Sequence, residues 1–143
     1  MLDGQLAGHI VVFGIHGVAR RIVKQLSTTG RQIVVVDPDA TQEERDELER
    51  WDAEYLAGSG QSVDILRAAR VSKALAVVCA TDKDVVNIEI ALLVREMSST
   101  VRVVVQMGNA SVARALDPLT RPGGVFDVAE LATTSFVEAV LGR

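Results

Sequence analysis

Apolar residues along the chain fall into two kinds of run. Short stretches rich in Val and Ile, nearly unbroken in apolar character, read IVVF at 10–13, IVVV at 33–36, LAVVC at 75–79 and VRVVV at 101–105. Between them lie longer stretches in which apolar positions recur every three or four residues. The first kind predicts strands at 9–13, 32–36, 54–56, 75–79, 101–105 and 125–127, bounded by Gly, Asp or Pro. Strands apolar on both sides belong to a sheet covered on both faces, as parallel sheets are.

The second kind predicts helices. Val18, Ile22 and Leu26 share one face of Val18–Leu26, with Arg20, Arg21, Lys24 and Gln25 mostly outside. The run 41–50 opens with Thr41 and has Glu44 three residues on, the pattern of a capping box. Helices follow at 62–69, Asp84–Met97, 111–116 and, closing the chain, 128–142. Regular strand–helix alternation implies right-handed βαβ units. The expected fold is α/β: a doubly wound, Rossmann-like, mostly parallel six-stranded sheet with helices on both faces. Ligands of such folds bind at the carboxyl ends of the strands, near the point where strand order reverses. The loop 117–124 (DPLTRPGG) is the strongest breaker, but too little follows it to fold alone. Residues 1–143 are therefore read as one domain, with 1–7 as a flexible tail. Val128, Leu131, Phe136, Val137 and Val140 spread around the closing helix, which makes it a candidate dimer surface.

Composition narrows the picture. The 143 residues are 48% hydrophobic but only 3% aromatic, so the core is aliphatic. One cysteine, Cys79, leaves no internal disulfide and no Cys-based zinc site, and two histidines, His9 and His16, disfavour a His-rich metal site. Cys79 lies inside an apolar strand, the setting of an inert thiol. The longest wholly apolar run, 74–80, is far short of the ~20 residues of a membrane helix. No secretory signal pattern is visible at the start. The net charge of −4, without a Lys/Arg block, disfavours nucleic acid as a partner. A cytoplasmic chain is expected.

Candidate chemistry concentrates in GHIVVFGIHGVARRIVKQLSTTGRQIVVVDPD, at 8–39. A dinucleotide fingerprint sets G-x-G-x-x-G/A in the turn after the first strand and an acid about 20 residues on, for the ribose hydroxyls. Gly14 takes the first position and Ala19 the third. His16 takes the second, with Gly17 directly after it. Asp37, followed by Pro38, ends the second strand. His16 brings a ring where glycine normally lets the pyrophosphate approach, or else serves as a donor to phosphate. The plainer reading is that Gly14 and Gly17 only make a tight turn and Asp37 caps the segment after it. Asp82 and Asp84 read as helix caps.

Further segments carry a family resemblance. Gly58-Ser59, Leu66, Ala69 and Ala74 resemble a G-D-A-x-x-x-x-x-L-x-x-A-G-I-x-x-A stretch. Ala80-Thr81-Asp82-x-Asp84-x-x-Asn87-x-x-x-Ala91 resembles A-T-x-D-x-x-N-x-x-x-A. The fifth strand followed by Gln106, and Gly124-Val125-Phe126-Asp127, resemble the closing pieces. This ordered set, over roughly residues 8–142, is similar to the regulator-of-potassium-conductance family, also called RCK, TrkA-N or KTN. Ser59 stands where that family usually has Asp, Gln106 where it has Arg, and His16 where it has Gly.

The resemblance implies a regulatory lobe and not an enzyme. Its members serve potassium channels and transporters at the inner face of the membrane, bind NAD(H), ATP or ADP, and pair as homodimers or higher homo-oligomers whose rearrangement controls ion flux. Carried over by position, Gly14, Ile15, His16, Gly17, Val18 and Ala19 form the phosphate turn, Asp37 with Pro38 takes the ribose, Gly58 and Ser59 lie by the adenine, and Thr81 and Asp82 line the mouth. No catalytic residue and no metal are implied. The alternatives are a dimerisation lobe that has lost its nucleotide, or a small NAD(P)-dependent oxidoreductase. Against the latter, no Tyr-x-x-x-Lys pattern and no room for a substrate domain are present.

Overall fold

A computed structural model describes residues 6–107, 127–129 and 140–141. Strands β1 (Ile10–Phe13), β2 (Ile33–Asp37), β3 (Glu54–Ala57), β4 (Ala76–Cys79), β5 (Arg102–Gln106) and β6 (Asp127–Ala129) form one sheet in the order β3-β2-β1-β4-β5-β6. Every neighbouring pair is parallel. Helices α1 (Val18–Leu26), α2 (Gln42–Arg50), α3 (Val63–Ala68) and α4 (Asp84–Met97) fill the connections, with a short 3-10 turn at Val71–Lys73.

The near-continuous apolar strands serve two cores at once. Alternate residues of a strand face opposite sides. Val11, Phe13, Val34, Val36, Val77, Cys79, Val103 and Val105 pack with Leu66, Ile90, Ala91 and Val94 of α3 and α4. Ile10, Val12, Ile33, Val35, Ala76, Val78 and Val104 pack with Ala19, Ile22, Val23 and Leu26 of α1 and Leu48 of α2. Few rings are needed because each layer is only one aliphatic side chain deep. Burying each large one contributes roughly 1.5–3 kcal/mol.

The chain leaves β1 through α1 to β2 and goes on to β3 at one edge. It then crosses back and enters β4 on the other side of β1. Strand order therefore reverses between β1 and β4, as a doubly wound fold requires.

Two expectations are corrected. Leu6 is no part of a loose tail: it is buried, and its carbonyl accepts from Arg70 Nε at 2.9 Å. Val128 and Ala129 do not open the closing helix but belong to β6, because they continue the parallel ladder beside Val105 and Gln106. Val140, expected on the closing helix, is buried in the α1/α2 layer. Leu131, Phe136 and Val137, the helix expected at 111–116 and the loop 117–124 lie outside the described residues.

Candidate functional site

The carboxyl ends of β3, β2, β1 and β4 lie side by side, and the nucleotide-site candidates Gly14–Ala19, Asp37, Pro38, Gly58, Ser59, Thr81 and Asp82 sit on or beyond them. At the centre, β1 ends at Phe13 and the chain turns at Gly14. The Gly14 amide donates to the Val36 carbonyl (3.1 Å), while the Phe13 carbonyl accepts from Ala80 N (2.9 Å). Gly14 has φ 118°, and a Cβ there would stand 2.6 Å from the Ala80 carbonyl oxygen and 3.1 Å from Thr81 N. The first turn glycine is thus required by close approach to the β4 exit as well as by its backbone angle.

Gly17 is the N-cap of α1, with φ 55° and ψ −119°, and supplies no side-chain cap. No acidic residue lies in the first turn. A Cβ on Gly17 would meet nothing within 4 Å. The positive end of α1 therefore faces open space with no carboxylate of its own turn to answer it, a setting that suits an anion. Ile15 and Ala19 are buried beneath the turn, and Val18 is half-buried.

His16 does not fold into that space. Its ring is 70% exposed and meets a Glu44 carboxylate oxygen of α2 at 2.5 Å. Glu44 also closes the capping box of α2, accepting from the Thr41 amide at 2.8 Å while Thr41 Oγ1 accepts from Glu44 N at 3.1 Å. The Thr41 bond first, and then His16, hold the Glu44 carboxyl below its ordinary range. One turn on, Arg20 grips Glu47 with Nε and a terminal nitrogen, both at 2.7 Å, and lies 5.4 Å from the Trp51 ring centre. That pairing raises the guanidinium further and lowers the Glu47 carboxyl. The His16 ring and the Arg20 guanidinium, both beside the glycine turn, are thus bound to carboxylates of α2.

Asp37 ends β2. One carboxylate oxygen accepts from the Asp39 amide (3.0 Å), which is the local turn expected of the plainer reading. No partner is described for its other oxygen. The loop beyond is supported by Tyr55 of β3, whose hydroxyl donates to the Asp37 carbonyl (2.6 Å) and accepts from Ala40 N (3.3 Å). Pro38 lies within this loop. Gly58 and Ser59 follow β3. The Gly58 amide donates to the Asp37 carbonyl (3.2 Å), which joins the two strand ends. Ser59 Oγ accepts from Gln61 N (3.1 Å), so this hydroxyl shapes its own turn.

On the other side of β1, Thr81 is held from several directions. Its hydroxyl donates to Asn87 Oδ1 (2.7 Å) and accepts from Lys83 N (3.3 Å). The expected caps differ from those observed: Lys83 is the N-cap of α4 and makes no side-chain cap, and Asp84 stands in the first turn, where its charge answers the helix dipole. Asp82 is exposed at the mouth. Ser62 occupies the N-cap of α3, likewise without a side-chain bond.

The structure thus brings Gly14–Ala19, Asp37, Gly58–Ser59 and Thr81–Asp82 to one edge of the sheet. Sequence reasoning passed over three supports of that edge: Glu44, Tyr55 and Asn87. Asn87 stood in the quoted A-T-x-D-x-x-N pattern, and Tyr55 is the chain's one tyrosine, on a strand beside Asp37. A depression of about 350 Å³ lies at the opposite edge among Gly30, Arg31, Trp51, Asp52 and Glu54, away from every one of these residues. Among the described residues, no group of three or more His, Cys, Asp and Glu is placed to hold a metal ion, and no helix is long and apolar enough to cross a membrane.

A parallel sheet reversing beside a glycine turn, with an acid at the end of β2, defines a Rossmann-type domain. Within that class the chain belongs to the TrkA-N domain family, whose sequence profile matches residues 10–120. Similar solved structures include the GsuK channel bound to NAD (23% identity over 91% of this chain and 22% of that one, TM-score 0.72). GsuK bound to ADP matches at 25% identity over 90% of this chain and 32% of that one, with TM-score 0.66. The Kef CTD of Shewanella denitrificans in its AMP-bound form matches at 17% identity over 92% and 87%, with TM-score 0.69. The chain spans only 22% and 32% of these two GsuK chains. No curated protein matches it.

Proposed function

We propose that residues 1–143 act as one regulatory nucleotide-binding lobe of a potassium channel or transporter. It takes NAD(H) or an adenine nucleotide at the carboxyl edge of β1, β2 and β4, and does not itself catalyse a reaction. The observation that carries the reading is the open, uncapped start of α1 at Gly17, next to a glycine turn that has no room for a side chain. The positive helix end without a side-chain cap suits a phosphate group there. Asp37 accepts the ribose hydroxyls through the oxygen not given to Asp39. Membership of the TrkA-N family and the NAD, ADP and AMP in the similar structures support the ligand class.

On this reading a pair of lobes changes its mutual arrangement when the nucleotide binds. The rearrangement passes to a membrane partner, which places the lobe at the cytoplasmic face. A second reading, a dimerisation lobe without nucleotide, is favoured by one observation: the His16, Arg20 and Thr81 side chains already have protein partners. Titration calorimetry with NAD, NADH, AMP, ADP and ATP separates the two. Sedimentation of the chain with and without the nucleotide that binds tests the change of assembly.

A further inference from the structure

We propose that Asn87 is the positioning residue of this cleft: its carboxamide sets the Thr81 peptide against Gly14 and ties that wall to the end of β5. The proposal rests on the nucleotide-binding reading above. Asn87 lies on the second turn of α4 and is fully buried, one of two buried polar side chains among the described residues. Oδ1 accepts from Thr81 N (2.9 Å) and from the Thr81 hydroxyl (2.7 Å). Nδ2 donates to the Thr81 carbonyl (3.2 Å) and to the Gln106 carbonyl (3.0 Å).

The whole capacity of a carboxamide, two acceptor sites and two donor hydrogens, is therefore used. Its orientation is settled by chemistry. An amide N–H can only donate, and the two carbonyls can only accept, so exchanging O for N would break three of the four bonds. Of the buried side chains of this size, only Asn serves all four partners. Asp lacks both donors, and Leu lacks everything.

Location turns this hub into a positioning device. Thr81 N is the atom that a Cβ on Gly14 would approach to 3.1 Å, next to the Ala80 carbonyl at 2.6 Å. The two segments approach too closely to admit a Cβ and are joined by the Ala80 amide donating to the Phe13 carbonyl (2.9 Å), so a displaced Thr81 peptide disturbs the glycine turn. Gln106 is the last residue of β5 and stands beside Ala129 of β6. Asn87 thus joins the cleft wall directly to the sheet edge that carries the C-terminal part of the chain.

The test compares Asn87→Asp and the milder Asn87→Ser, which keeps one donor, with Val94→Ala. Val94 is fully buried on the same helix but makes no contact named in the cleft. Calorimetry with AMP, ADP and NADH reads affinity on folded protein, and amide hydrogen exchange reads the ligand-free chain. Both Asn87 variants are expected to lose at least about tenfold in affinity, against less than about twofold for Val94→Ala, because buried partners are left unpaired at the wall. They are also expected to speed exchange at Thr81 and Lys83 beyond the effect of Val94→Ala. Affinity and exchange equal to those of Val94→Ala overturn the proposal. If the unaltered chain binds none of the three nucleotides, the nucleotide reading falls. The exchange arm then still decides whether Asn87 fixes the wall.

Discussion

Gly14 lies so close to Ala80 that a methyl group on it would stand 2.6 Å from the Ala80 carbonyl oxygen, a backbone atom that cannot turn aside. Gly17, three residues on, has open space in the same position. The two glycines of the turn are therefore unequal, although both hold positive φ. Gly14→Ala is expected to cost about 2–6 kcal/mol, the sum of backbone strain and overpacking. Gly17→Ala should cost only the strain, about 1–3 kcal/mol. Urea denaturation of the two variants checks the order. A Gly17 variant as damaged as the Gly14 variant would show that the contact with Ala80 does not matter.

Glu44 occupies the His16 ring that stands next to the phosphate turn. A nucleotide phosphate that draws on His16 has to compete with this carboxylate. Glu44→Gln is therefore expected to strengthen AMP binding by up to about fivefold, the worth of one exposed hydrogen-bonded contact near 1 kcal/mol. His16→Ala should weaken binding and abolish the effect of the second change. Unaltered affinity in Glu44→Gln would mean that His16 takes no part in holding the ligand.

His9 is buried with Nε2 on the Ala69 carbonyl (2.8 Å) and Nδ1 without a partner. Burial, with Arg70 adding to it, pushes its pKa below the ordinary 6.5. The unfolded chain then takes up a proton near pH 6.5 that the folded chain refuses, so stability is at its full value above that pH and declines as the pH falls below it. Glu44 and Glu47, both lowered, add a second decline below about pH 4.5, where the unfolded carboxylates gain protons first. Denaturant titrations from pH 8 to pH 5 are expected to show the first decline, and His9→Gln to flatten it.

Cys79 is fully buried at the end of β4, and burial raises its thiol far above the usual range. A thiol reagent is expected to leave it untouched in the native protein and to modify it only as fast as the chain opens. Rapid labelling under native conditions would contradict the sealed core drawn around β4.

The sheet was legible because strands buried on both faces leave an unbroken apolar signature, and α1 and α4 keep the bounds that their periodicity predicts. Strand limits moved by a residue or two. β2 runs one residue past the apolar run, through Asp37 paired with Ala57, and β6 begins at Asp127 where the strand was expected to end. At the site, the residues on the strand ends followed from their order in the chain, since each strand simply delivers the next loop to the same edge. Their partners did not. Arg20 and Glu47 are 27 residues apart, and Asn87 and Gln106 are 19 apart. No local spacing encodes such pairs, which arise only when the crossover packs α1 beside α2 and α4 beside β5.

The central claim is that a nucleotide sits between the Gly14 turn and Asp37. Titration calorimetry of the unaltered chain and of Asp37→Asn with AMP, ADP, ATP, NAD and NADH tests it most directly. Asn at position 37 still offers an oxygen to the Asp39 amide and keeps the turn, but it cannot accept from ribose as a carboxylate does. The expected result is binding by the unaltered chain and an affinity at least about tenfold weaker in Asp37→Asn. Absence of binding at millimolar nucleotide, or equal affinity in the two proteins, would contradict it.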